Sequence, residues 1–84
     1  MSAEQAIGVK QTVRDFIQRS VRINKLDDDD DLFATGIVNS LFAIQLMTFV
    51  EKAFAIEVGV EDLDIANFKS LNATTAFVVR KTVS

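Results

Sequence analysis

From residue 40 the chain reads SLFAIQLMTFVEKAF, and this run constrains the fold more than any other. Ala43, Leu46, Met47, Val50 and Phe54 recur at helical spacing and trace one inward stripe, with Gln45, Thr48, Glu51 and Lys52 on the outer side. A helix this one-sided must bury its apolar face against other elements, and the flanking sequence supplies helical ones. Upstream, Ile7, Val13, Phe16, Ile17 and Val21 share the period, with Lys10, Arg14 and Gln18 opposite and Ser2 as N-cap; the pattern fades near Ser20. Downstream, Glu61 and Asp62 suit the first turn of a short third helix around 61–66. Ser70 then caps a last helix that turns some combination of Leu71, Thr74, Ala76, Phe77 and Val78 inward and places Arg80 and Lys81 at its final turn. The chain has no proline and only three glycines, which suits helices joined by loops. IEVGV, residues 56–60, is strand-like in isolation but has no second strand to pair with. The expected class is all-α.

Residues 21–39 connect the first two helices. Leu26, Leu32 and Phe33 are the apolar pegs that hold this connection on the core. The run Asp27 to Asp31 is mutually repulsive and expected to be solvated, with a later member capping a turn at DLFA. Gly36 marks a backbone position that needs a permissive residue. A calcium loop starting at Asp27 would need glycine at its sixth place and glutamate at its twelfth; Leu32 and Val38 stand there, so no metal is expected.

Eighty-four residues form a single domain, 1–84, with a modest core and no cysteine to staple it. No leader pattern and no bilayer-length apolar run is visible, so a cytoplasmic monomer with no membrane partner is expected. Charge is segregated. Residues 1–26 carry five basic and two acidic residues, 27–64 carry ten acids against Lys52 alone, and 65–84 carry three basic residues. The acidic middle repels phosphates and attracts basic protein surfaces, so no nucleic acid partner is expected. Histidine, cysteine and tyrosine are absent, and the only lysine on the Ser40 helix lies several turns away. A serine nucleophile without a base is not a catalyst, so no catalytic residue is expected.

Asn39 and Ser40 are the remaining chemical feature. Asn39 caps the helix and puts Ser40 at its first position, beside unpaired backbone amides. Those donors and the helix dipole would accommodate a phosphodiester on Ser40. Spacing alone favours a plain cap, because both residue types are common at helix starts. The wider pattern is more specific. Leu32-Phe33, Gly36, then Asn39-Ser40-Leu41 opening a long helix resembles the prosthetic-group site of acyl and peptidyl carrier proteins. FKSLNATTAFV, residues 68–78, resembles the opening of that family's last helix, so the resemblance spans roughly residues 5–80.

The resemblance implies a four-helix bundle with three longer helices, a short third helix and a long first loop. It implies 4'-phosphopantetheine, taken from coenzyme A by a phosphopantetheinyl transferase and attached to Ser40, with an acyl group held on it as a thioester. Implied partners are the enzymes that load, tailor and condense that group: an adenylating enzyme or acyltransferase, dehydrogenases, a ketosynthase. The chain departs from the family at Asn39, where Asp is usual; the cap survives but an acidic contact for the transferase is lost. Within the family, residues 36–54 look like discrete carriers of methoxymalonyl, hydroxymalonyl or aminomalonyl units for polyketide assembly. A peptidyl or aminoacyl carrier of nonribosomal synthesis, and a helical adaptor that is never modified, are the alternatives.

Candidate partner-recognition residues are Asn39, Leu41, Phe42, Ile44, Gln45, Thr48 and Glu51. Phe42 lies off the Ala43, Leu46, Val50 stripe by about one residue's turn of the helix. Partial exposure and an anchoring role are therefore expected of it, unless it folds back under the long loop as core.

Overall fold

The computed structural model describes residues 3–36 and 38–83, so the Ser2 cap lies outside the described residues. Helix α1 spans Ala3–Val21, α2 spans Ser40–Phe54 and α3 spans Leu71–Val83. No strand occurs among the described residues, in keeping with the all-α expectation. The short third helix does not form as expected. Two single 3-10 turns, Val60–Asp62 and Ile65–Asn67, replace it. The reason is local competition for backbone amides. The Asp62 carboxylate accepts from the Gly59 amide at 3.0 Å, and the Asp64 carboxylate accepts from the Ala66 amide at 2.9 Å. Asp62 reaches back to close the first turn and Asp64 opens the second, so no continuous helix runs through both.

The core is built from rows four residues apart. In α1, Val9, Val13 and Ile17 form such a row and are buried, with Phe16 half-buried at its edge. Ile7, expected inward, is 60% exposed, because at 100° per residue it stands about 120° around the helix from the centre of that row. In α3, Leu71, Thr74, Phe77 and Val78 are the buried combination, whereas Ala76 is exposed at the rim of the α1–α3 groove beside Ile7. The buried Thr74 and Thr75 hydroxyls donate to the carbonyls of Ser70 and Leu71, both at 2.9 Å, which removes the cost of burying them. Phe68 and Phe77 close the bottom of the core with ring centroids 5.1 Å apart. Helix α1 packs chiefly on α3; α2 stands further off, joined to α1 through Phe16.

The long connection is tied to both terminal helices. Leu26 and Leu32 are buried as expected, Val38 joins them, and Phe33 is half-buried. The Leu32 amide donates to the Lys69 carbonyl at 2.7 Å, and the Asn72 amide donates to the Asp28 carbonyl at 2.9 Å. Gly36 has φ +78°, the left-handed conformation that glycine takes without penalty. Asp31 caps the following turn through bonds from the Phe33 and Ala34 amides, at 3.1 and 3.0 Å. The aspartate run is not merely solvated. Asp28 receives Lys10 at 3.0 Å and the Arg14 guanidinium, which also donates to the Leu26 carbonyl, and Asp29 accepts from the Asn72 side chain at 2.7 Å.

The Lys10 ammonium, helped by Arg14 and opposed by partial desolvation, holds the Asp28 carboxyl below its ordinary value of 3.8. A depressed carboxyl stabilises the fold above its ordinary value, and that contribution is lost as pH falls through the depressed one. Asp28→Asn should therefore lower the melting temperature at neutral pH. Thermal melts of both proteins should converge as the pH drops below 3.8. Equal melting at pH 7 would mean that the clamp contributes nothing.

Candidate functional site: the mouth of the second helix

The start of α2 is set by Asn39. Its backbone is extended at φ −125°, ψ −176°, and its side-chain oxygen accepts from the Phe42 amide at 3.0 Å. That bond consumes one of the amides that a helix start leaves without an intrahelical acceptor; those of Ser40 and Leu41 remain at the mouth. Ser40 is the first helical residue and is exposed, and its hydroxyl bonds to none of the described residues. No acid lies in the first turn of α2, so nothing on the helix itself repels an anion there. The chain contains no histidine, cysteine or tyrosine, so no such side chain can activate the hydroxyl from within. The arrangement suits an oxygen that is modified by an outside catalyst and a phosphate held at a helix N-terminus.

The remaining candidates divide into two groups. Leu41 is 66% and Ile44 58% exposed, and Gln45 and Thr48 are exposed with them along α2. Phe42 is not exposed as expected but buried at 8%. It heads the row Phe42, Leu46, Val50, the same four-residue spacing as the buried row of α1, and Phe16 stacks on it at 5.8 Å. Glu51 also departs from the outward position expected of it. It is half-buried, and its carboxylate accepts from the Val58 amide at 2.9 Å, holding the turn after α2.

A second apolar surface lies in the 3-10 segment, where Val60, Leu63 and Ile65 are exposed among Glu57, Glu61 and Asp64. Val60, Leu63 and Ile65 have no role in the sequence pattern of the site; the alternation of acidic and large apolar residues over 60–65 is the signal that marks them. Lys81 ties this segment to α3 by an ion pair with Asp62 at 2.8 Å.

A sequence profile described as the phosphopantetheine attachment site matches residues 8–78. No curated protein matches the chain. The matched span runs from the first turns of α1 through most of α3 and takes in the α2 mouth with its exposed serine. The chain therefore belongs to the phosphopantetheine-attachment family, whose domain is the site of covalent 4'-phosphopantetheine.

Proposed function

We propose that the chain is an acyl carrier protein modified at Ser40. The observation that carries this reading is the exposed Ser40 hydroxyl at the first position of α2, flanked by amides that Asn39 leaves open. When bound, the prosthetic group supplies a thiol on which an acyl group rides as a thioester. The protein's own part is to provide and position the oxygen. Ser40 Oγ attacks the pantetheine-side phosphorus of coenzyme A, the pyrophosphate P–O bond breaks and adenosine 3',5'-bisphosphate leaves, the serine proton passes to a base of the transferase, and the amides of Ser40 and Leu41 face the negative charge of the new phosphodiester. The chain thus serves other enzymes as substrate and scaffold. The paired 3-10 turns stand in this reading where the family's short third helix would lie.

Its enzymes would be those of polyketide or related biosynthesis in the cytoplasm, handling a malonyl-type unit. They would meet Asn39, Leu41, Ile44, Gln45 and Thr48 along α2, with apolar contact supplying affinity. Phe42 and Glu51 are withdrawn from that surface by their internal contacts. The test is intact mass after incubation with coenzyme A and a broad-specificity phosphopantetheinyl transferase, followed by fragmentation to place the added group. An unmodified adaptor gains no mass.

Asn39→Asp bears on the same reaction. It keeps the cap and adds an anion at the helix start, worth about 0.3–1 kcal/mol when exposed. Stability should be equal or slightly higher, and transfer by an enzyme that expects Asp should be faster. A clearly slower transfer would show that the missing charge is no handicap.

A further inference from the structure

Between α1 and α2 runs an open groove of about 490 Å³. Its floor is apolar. Phe16 of α1 stacks on Phe49 of α2 with centroids 4.1 Å apart, and exposed Ile44 lines the groove with them. Ser20, Gln45 and Thr48 add polar atoms, and Lys52 is the lining residue of α2 furthest from Ser40.

Lys52 is the only basic residue between positions 26 and 68. It joins none of the salt bridges among the described residues, and its neighbour Glu51 is engaged with the Val58 amide. Complementing the dipole of α2 accounts for a cation in the last turn, but not for its place on an apolar groove. Reach decides between occupants. At 1.5 Å per residue, Lys52 lies about 18 Å along the axis from Ser40. The arm has roughly fourteen bonds from the serine oxygen to its sulfur, which extend to about 17 Å at the advance per bond of an extended peptide. Side chains on a helix lean toward its N-terminus, so the Lys52 stem leans back toward Ser40. An arm with apolar methyl groups and two amides fits the groove's mixture of phenylalanine, isoleucine and hydroxyl groups. What lies beyond its sulfur meets a lone cation.

We infer that the α1–α2 groove is a resting site for the arm carried by Ser40, and that Lys52 receives the free carboxylate of a dicarboxylic acyl group at its end. This rests on the assignment of Ser40 above. It adds a place on the protein for such a cargo: the arm lies along the groove and the second, ionised carboxyl meets Lys52.

The experiment loads the full chain from acetyl-coenzyme A and, separately, from malonyl-coenzyme A with a promiscuous transferase. Intact mass and fragmentation come first. A missing mass gain, or one on another residue, overturns the Ser40 assignment itself. With the arm on Ser40, nuclear Overhauser contacts are expected in both forms between the Phe16 and Phe49 rings and the methylene protons in the sulfur-proximal half of the arm. The malonyl form alone should shift the Lys52 side-chain signals. Lys52→Gln should lower the groove-bound fraction of the malonyl form about two- to fivefold, as for an exposed ion pair, and leave the acetyl form unchanged. The inference is overturned, with Ser40 intact as the attachment point, if the arm shows no contact to either ring. It is equally overturned if the acetyl and malonyl forms are indistinguishable at Lys52, or if both respond alike to Lys52→Gln.

Discussion

Ser40→Ala is expected to abolish phosphopantetheine attachment completely while leaving the helical fold nearly unchanged. The loss is total because the alanine has no oxygen with which to form the phosphodiester, and no neighbouring serine or threonine occupies the helix mouth. The fold survives because Ser40 does not cap α2. That role belongs to Asn39, whose bond to the Phe42 amide is untouched by the change. Circular dichroism should overlay that of the parent, and intact mass should show no gain after exposure to coenzyme A and transferase. An alanine variant that still gains the group would place the attachment elsewhere and remove the basis for the proposed function.

The largest stability effect is expected in the row that α2 turns toward the core. Leu46 is 1% exposed, and Leu46→Ala should cost about 2–5 kcal/mol, the sum of lost transfer energy and a residual cavity. Phe42→Ala should fall in a similar range, about 3–5 kcal/mol for a buried aromatic, since it also strips Phe16 of one stacking partner. Urea unfolding followed by circular dichroism would compare the two. A Phe42→Ala protein as stable as the parent would return Phe42 to the role of exposed anchor. For a chain this short, either loss approaches the whole margin of stability.

The features legible in the sequence were those with short-range causes. Asn39 and Ser70 cap α2 and α3 because their side chains reach amides three residues on, and this depends on nothing distant. Gly36 was legible for the same reason. What escaped depends on neighbours. An inward stripe drawn through Ala43 misses that Phe42 shares a row with Leu46 and Val50, and the row is selected by Phe16 on another helix. Ile7 and Ala76 have the right chemistry for a core but stand at the open rim of the α1–α3 groove, which no further element covers. The ends of α1 and α2 carried no glycine signal. Arg22 and Ala55 take the left-handed conformation instead, at φ 55° and 54°, and each helix closes when the next amide donates back to Gln18 or Glu51. Glu51 itself was misjudged because its partner is set by the path of the chain after α2.

The pairing of α1 with α3 has a consequence for how the chain assembles. Its most extensive helix contact joins segments separated by about fifty residues, so closing that loop costs on the order of 3.5 kcal/mol in chain entropy before any contact repays it. The bonds from the Asp27–Asp31 run to Lys10, Arg14 and Asn72 shorten the span still to be closed, by fastening the connection to each partner in turn. Against that pair α2 sets its buried row of Phe42, Leu46 and Val50, with Phe16 stacked on Phe42 and Phe49. The consequence is a frame made from the two ends of the sequence, on which the serine-bearing helix is seated.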